Sequence, residues 1–487
     1  SQQEKQGHDM QETTDRRPVL VVDLDGTLIR SDMLYESFWS SFSRDWRTPL
    51  WAVAGLSKGR AALKARMAQC GAPDPATLPY TPEVLDHIKA WRESGGRTAL
   101  VTAADQSLAE AIADHLGLFD EVHGSDGQVN LKGREKANFL IARFGEQGYI
   151  YIGDSTADVP VWRSAATAVT VGLSGGLRAT VDAMHPDAVH LAPPKSILPA
   201  ALRAMRPHQW LKNLLIFFPL LAAHVFAPVS LLQASFAFVS FSLVASSVYL
   251  LNDLLDLASD RAHPRKSKRP LASGAMPLAT GMVLAPLLLG AGLVLAMTLA
   301  PLFMVVLSGY YLLTIAYSLW LKRRPIVDIC TLASLYTLRV AAGGAATGIS
   351  LSVWLLAFSA FLFFALAAVK RQAELVDMAH RGLQSAVGRG YRVSDLPVVT
   401  QMATAAGFVA VLVLMLYVNE PSVLHRYSAP VLIWGACLVL LYWIARMILI
   451  AQRGDMEDDP VVFAARDRTS QFCFVVIIGL FIGAGVF

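Results

Sequence analysis

The feature that most limits what this chain can fold into lies in its second part. Nine apolar segments follow one another there, near residues 214–228, 231–251, 278–299, 302–320, 326–348, 352–369, 398–418, 427–450 and 470–487. Most approach the ~20 residues that a helix needs to cross a bilayer, and backbone in lipid must satisfy its own polar groups, so helices are expected. The first segment is short for a span. Charge then sorts the loops. With the 199–213 flank placed inside, alternation puts 20 Lys and Arg on the inside segments and one, Arg426, on the outside loops. This asymmetry predicts a cytoplasmic N-terminal part, cytoplasmic long loops and a C-terminus outside.

Composition separates the two parts. Residues 1–198 hold 20 Lys+Arg against 25 Asp+Glu, whereas residues 199–487 hold 22 against 13. An acidic, water-soluble part is therefore followed by a basic, apolar one, which excludes disorder, collagen and a disulfide scaffold. The cysteines, Cys70, Cys330, Cys437 and Cys473, have no metal-binding spacing and read as small buried apolar residues. Residues 1–17 are polar and are expected to form a disordered tail rather than an export signal. No nucleic-acid partner is expected.

From Pro18 to about Leu191, short β-branched runs alternate with helical stretches. Val19–Val22, 98–101 and 149–152 each run into polar residues, the pattern of a parallel sheet with its site at the carboxyl ends of the strands. Residues 31–80 interrupt it with helical character and read as a cap, and 192–200, with Pro193 and Pro194, reads as a linker. In the cap, Trp39, Trp46 and Trp51 lie close to Lys58, Arg60, Lys64 and Arg66. Ordinary cap packing and a membrane-surface contact are both open readings.

The first strand ends in Asp23-Leu24-Asp25-Gly26-Thr27. Two carboxylates two apart at a strand end can share the work of attack on phosphorus and proton transfer. Thr102 ends the next strand and offers a hydroxyl for a phosphate oxygen. Lys136, with Lys132 as a rival, offers an ammonium near a helix start. Gly153-Asp154-Ser155-Thr156-Ala157-Asp158 supplies carboxylates for Mg²⁺. DxDGT, VT, Lys and GDSxxD, each after a strand and in this order, resemble the haloacid dehalogenase superfamily of phosphatases over about residues 18–190. The resemblance implies Asp23 as nucleophile and Asp25 as general acid/base, with Thr102 and Lys136 holding the phosphoryl group. It also implies Mg²⁺ on Asp23, the Asp25 carbonyl and Asp154, with Asp158 in support.

In the membrane part, the second segment runs into Asn252-Asp253-Leu254-Leu255-Asp256-Leu257-Ala258-Ser259-Asp260. If the helix continues, Asp253, Asp256 and Asp260 face one way and repel one another unless a cation, such as Mg²⁺ bridging to a diphosphate, sits among them. Arg261, His263, Lys266, Lys268 and Arg269 follow as further phosphate ligands, with topological anchoring the rival for Lys266, Lys268 and Arg269. Asp328 and Arg339 are eleven residues apart, nearly three turns, and share a helical face. A buried Arg there suits a phosphate, a structural ion pair or the capping of a backbone carbonyl. Lys370, Arg371 and Glu374, with Asp377, offer a second charged cluster.

NDxxDxxxD on a nine-helix bundle resembles the UbiA superfamily of intramembrane prenyltransferases. The opening RPHQWLKN with Lys212, the DRxHPxK run, the KRxAEL loop and DPVVFAxRDR are similar to its branch of decaprenyl-phosphate phosphoribosyltransferases. The expected fold is thus two-domain. An α/β haloacid-dehalogenase-like domain, a Rossmann-like sheet with a cap, spans 18–191, and an all-α transmembrane domain spans 201–487. The resemblance implies a bacterial cytoplasmic membrane, polyprenyl phosphate and phosphoribosyl pyrophosphate as substrates, and Mg²⁺ in both domains. A prenyltransferase using a prenyl diphosphate is the alternative.

Overall fold

The computed structural model describes residues 17–57, 60–125, 131–194, 196–384, 390–419, 427–456 and 459–486. Residues 1–16 of the expected tail, with Lys58, Arg389 and Arg426, lie outside the described residues, as do the side chains of Arg60 and Lys64. Arg17, assigned to that tail, is already held, its guanidinium 4.0 Å above the Trp91 ring. The chain divides into two compact units. One comprises Ser1–Ala204 with Leu250–Leu284, the other Met205–Tyr249 with Ala285–Phe487.

In the first unit, strands β1 (Val19–Val22), β2 (Thr98–Asp105), β3 (Glu121–Ser125), β4 (Tyr149–Gly153), β5 (Thr167–Val171) and β6 (Val189–Ala192) form one sheet in the order β3-β2-β1-β4-β5-β6. Every pairing is parallel. Both faces of the central strands are covered, which explains why they read as unbroken apolar runs. Leu20 and Val22 join Leu100 and Ile152 in one core, while Val19 and Val21 join Val101, Tyr149, Tyr151 and Trp162 in the other. Because β1 is flanked by β2 and β4, the connections diverge there, and the carboxyl ends of β1 and β4 frame the crevice where α/β sheets take ligands.

The cap is built from helices Met33–Phe42, Thr48–Leu56 and Arg60–Gly71. Asp32 caps the first by accepting the Leu34 N–H. A Cβ at Gly71 would strike the Ser37 carbonyl and Ser41, so this helix end packs against the first cap helix at backbone distance. Trp39 is core, whereas Trp46 and Trp51 are exposed, with Arg47 and Arg66 over their rings. The aromatic stretch therefore serves packing at one position and the surface at two.

Among the described residues, eight helices are long and apolar enough to cross a membrane: Pro228–Leu255, Leu278–Ala296, Pro301–Leu319, Val327–Thr347, Val353–His380, Val393–Val418, Val431–Arg453 and Arg468–Gly485. Leu278–Ala296 is apolar nearly all round yet little buried by protein, as expected of a helix whose outer surface faces lipid. The remaining apolar segment, 214–228, does not form a long helix. A 3₁₀ run, Pro207–Phe217, leads into the short helix Phe218–Ala223, which ends at His224 in a left-handed conformation. Of the cysteines, Cys437 and Cys473 are buried as expected, but Cys70 and Cys330 are exposed. Cys330 lies on a spanning-length helix, where apolar character does not require cover by protein.

Candidate active sites

The carboxyl ends of β1 and β4 bring together Asp23, Asp154 and Asp158, with Asp25 two residues beyond Asp23. Lys136, near the start of helix Arg134–Phe144, is buried and donates to Asp23 Oδ1 at 2.8 Å and to the Tyr151 hydroxyl at 3.0 Å. The rival Lys132 is exposed. Asp23 Oδ1 also accepts the Leu24 N–H at 2.9 Å, so one oxygen is held from two sides. Gly26 turns the chain at φ +78°, and a Cβ there would collide with Asp154, so only glycine lets the loop approach that carboxylate. Thr102 is buried, and its Oγ1 accepts the Ala104 N–H at 3.0 Å, leaving the hydroxyl hydrogen to donate.

One oxygen each from Asp23, Asp154 and Asp158 lies within 4.8 Å of the others. Burial pushes Asp154 up to about 7, and the charges of Asp23 and Asp158 push the same way. Burial also raises Asp23, with Lys136 opposing it. Crowded, partly dehydrated carboxylates of this kind fit a hard divalent cation. Asp158 differs from the other two. Its Oδ1 accepts the Tyr151 hydroxyl at 2.8 Å, and its Oδ2 accepts the N–H groups of Asp154 and Ser155 and the Ser155 hydroxyl. Both of its oxygens are engaged in shaping the loop that presents Asp154.

The same unit contains the NDxxDxxxD loop. The long helix stops at Leu255 and a short one runs Leu257–Ala262, with Asp256 at the break. Helical hydrogen bonding nevertheless carries across, from the Asp256 N–H to the Asn252 carbonyl and from the Asp260 N–H to the Asp256 carbonyl. Asp253 and Asp260 are buried, and Arg269 Nη1 reaches both, at 3.1 and 2.5 Å. Burial raises the pKa of Asp260, with Arg269 opposing it. Arg269 thus supplies the positive charge that the sequence argument asks for between these carboxylates. Asn252 Oδ1 is buried with no donor among the described residues, an acceptor suited to a cation or its water. His263 Nδ1 accepts the N–H groups of Arg265 and Lys266 and so shapes the turn that leads to Lys266. Arg261 is turned to Glu36 and the Ala272 carbonyl.

In the second unit, Lys212 and Lys370 both donate to Asp459 Oδ2, at 2.7 and 2.8 Å, and the Tyr336 hydroxyl donates to Asp459 Oδ1 at 2.9 Å. Arg339 is buried and has no carboxylate partner among the described residues. It donates to Asn213 Oδ1, the Tyr310 hydroxyl and the Leu335 carbonyl, and lies over the rings of Phe241, Tyr310 and Tyr336. Asp328 shares a helix with Arg339 but pairs with Arg371, which also binds Glu374 and the Tyr317 hydroxyl. The Asp328–Arg339 ion pair that the eleven-residue spacing allowed is not formed. Asp328 and Arg371 are almost wholly buried, so Asp328→Ala should leave the buried guanidinium with only the partly exposed Glu374 as its carboxylate and destabilise the protein by about 3 kcal/mol. Thermal unfolding in detergent measures this; a change near zero would mean that Glu374 alone balances the Arg371 charge. Asp459, Asn213 and Tyr336 were not singled out from the sequence. Asn213 and Asp459 stood in the sequence only within the RPHQWLKN and DPVVFAxRDR motifs, and Asp459-Pro460 is also an N-cap followed by proline at the first helical position.

The UbiA prenyltransferase family matches residues 213–474, and the haloacid dehalogenase-like hydrolase family matches residues 20–163. An uncharacterised protein of Sinorhizobium fredii is 38% identical over 473 residues, 96% of this chain and 92% of that protein. A Mycolicibacterium smegmatis protein named decaprenyl-phosphate phosphoribosyltransferase is 34% identical over 317 residues, 62% of this chain and 99% of the relative. A solved UbiA homolog from Archaeoglobus fulgidus, bound to GPP and Mg²⁺, is 16% identical over 58% of this chain and 99% of its own, with a TM-score of 0.44. The chain belongs to the UbiA prenyltransferase family and is an integral membrane enzyme that carries a haloacid dehalogenase-like hydrolase domain ahead of its transferase part.

Proposed function

We propose that the membrane part transfers 5-phosphoribose from phosphoribosyl pyrophosphate to a polyprenyl phosphate, and that the hydrolase domain removes the 5-phosphate from the lipid-linked product. One observation carries this reading. A transferase part 34% identical to an enzyme named decaprenyl-phosphate phosphoribosyltransferase shares its chain with a buried Asp–Lys site suited to phosphate esters. Transfer from phosphoribosyl pyrophosphate leaves a phosphate on the sugar, and a phosphatase is the activity that consumes such a product. The charge asymmetry of the loops supports placing the hydrolase domain on the cytoplasmic side of the membrane, and the named relatives' bacterial source supports a bacterial cytoplasmic membrane.

In the transfer, a lipid phosphate oxygen attacks the anomeric carbon as the bond to pyrophosphate breaks, and pyrophosphate leaves with the electron pair. The attacking oxygen is already anionic, so the protein's work is positioning and charge stabilisation. Lys212, Lys370 and Arg339 would bind phosphate, with Asp459 aligning the two lysines. Asp253, Asp256, Asp260 and Asn252 would hold the diphosphate and its Mg²⁺, with Lys266 and Arg269 beside them. In the hydrolase, Asp23 attacks phosphorus while Asp25 protonates the leaving sugar oxygen. Water then attacks the aspartyl-phosphate, gives its proton to Asp25 and releases phosphate. Lys136 and Thr102 hold the phosphoryl oxygens, and Asp154 with Asp23 would hold Mg²⁺. The ion, when bound, neutralises charge on the transferred groups.

Mass spectrometry of lipids formed from polyprenyl phosphate, phosphoribosyl pyrophosphate and Mg²⁺ tests both halves. Wild type should yield the dephosphorylated ribosyl lipid and Asp23→Asn the 5-phosphorylated one. Product from a prenyl diphosphate, with none from phosphoribosyl pyrophosphate, would replace the transfer reaction.

A further inference from the structure

Two buried charges from distant stretches of the chain meet inside the first unit. Arg261, one residue past Asp260, grips Glu36 of the cap helix Met33–Phe42 with both prongs, Nη2 to Oε1 at 2.6 Å and Nη1 to Oε2 at 2.9 Å. The two side chains are 6% and 2% exposed. The remaining guanidinium nitrogen, Nε, donates to the Ala272 carbonyl at 2.9 Å, and the Ser31 hydroxyl donates to Glu36 Oε1 at 2.5 Å. A second contact lies nearby. Gly274, at φ +68°, sits where a Cβ would come within 2.5 Å of the Cβ and carbonyl oxygen of Arg30. The loop after NDxxDxxxD is thus fastened to residues 30–36 of the phosphatase at two points.

Residues 30–36 also orient the proposed acid. The Met33 N–H, in the first turn of the cap helix, donates to Asp25 Oδ1 at 2.8 Å, and the Ser31 carbonyl accepts the Gly26 N–H at 3.0 Å. Glu36 lies one helical turn beyond Met33, so whatever holds Glu36 holds the N–H that aims Asp25. An Arg and a Glu withdrawn from water each cost several kcal/mol unless geometry and extra hydrogen bonds offset it, and here both are present. Free phosphate recognition by Arg261 would require breaking this pair.

We propose that Arg261, although contributed by the transferase's acidic loop, is a positioning residue of the phosphatase, acting through Glu36 and the Met33 N–H on Asp25. The inference rests on the reading of Asp25 as general acid. General acid catalysis matters most for leaving groups that cannot depart without a proton, and this supplies a signature that loss of fold does not.

The test uses the full chain in detergent or nanodiscs with ribose 5-phosphate, whose leaving oxygen needs a proton, and p-nitrophenyl phosphate, whose phenolate leaves without one. Arg261→Met and Glu36→Gln should each lower kcat for ribose 5-phosphate by about tenfold or more beyond their effect on p-nitrophenyl phosphate, with little change in KM. Arg261→Lys, which keeps the charge and one hydrogen bond, should recover part of the loss. Adding Arg261→Met to Asp25→Asn should change neither rate further. Equal losses on both substrates, or losses that multiply with Asp25→Asn, would overturn the inference while leaving the phosphatase reading intact. If Arg261→Met does not fold, the substrate ratio of Arg261→Lys decides. Absence of Asp23-dependent hydrolysis in wild type would overturn both.

Discussion

Asp23→Asn is expected to lower phosphate-ester hydrolysis by on the order of 10⁴-fold or more, the scale seen when a covalent nucleophile is removed. An amide has the shape of the carboxylate but no anionic oxygen to attack phosphorus. Its carbonyl can still accept from the Leu24 N–H and Lys136, so the loop geometry has reason to persist. The substitution also relieves repulsion. Asp23 is the largest contributor after burial to the raised pKa of Asp154, and removing its charge should bring Asp154 down from about 7. Against this, Lys136 loses its anionic partner in a buried place. Phosphate release measured beside thermal unfolding separates chemistry from folding. A variant that keeps a few percent of wild-type hydrolysis would remove Asp23 from the nucleophile's role.

How far a sequence discloses such sites depends on how locally they are made. The hydrolase site was legible because its carboxylates follow the ends of β1 and β4, although β2 runs on to Asp105 and holds Thr102 within the strand. Alternation identified β1, β2 and β4, and the carboxylates just past β1 and β4 met at the crevice. Even the choice between Lys132 and Lys136 followed from position at a helix start. The acidic run was legible as carboxylates spaced i, i+3 and i+7, although the helix that this spacing assumes breaks at Asp256. What escaped are partnerships across long separations. Lys212 and Asp459 are 247 residues apart, and Arg261 and Glu36 are 225 apart. Neither periodicity nor spacing carries information about which helix packs beside which. Asp328 shows the limit within a single element. Its spacing placed it on the face of Arg339, yet the guanidinium that reaches it comes from another helix, 43 residues on. Hydropathy likewise measured 214–228 as a span. It is blind to backbone, and proline at 219 and 228 with a left-handed His224 leaves only a 3₁₀ run and a short helix.

Asp459→Asn should cut sugar-phosphate transfer at neutral pH by about 10²-fold, the scale for loss of a preorganised electrostatic group, and should move the alkaline limb of the pH–rate profile to lower pH. Burial alone would raise the pKa of Asp459, but Lys212 and Lys370 hold it well below the usual carboxylate range. The influence is mutual. Burial lowers Lys212 to about 8, and the Asp459 charge is what opposes a further fall. Without that charge, burial acts together with Lys370 and Arg339, so the Lys212 pKa drops below about 8. Phosphate binding needs the protonated ammonium, which is lost as pH rises through the pKa. Wild-type transfer should therefore decline through about pH 8, and the variant should decline earlier and recover on acidification. The substitution also leaves two ammonium groups facing a neutral amide in a buried site, at a cost of about 3–5 kcal/mol to stability, so unfolding is followed alongside the rates. Lys212→Gln should lose the same limb altogether. An unshifted alkaline limb in Asp459→Asn, with the protein folded, would mean that Lys212 does not hold the phosphate and that the cluster of Lys212, Lys370 and Asp459 is scaffolding.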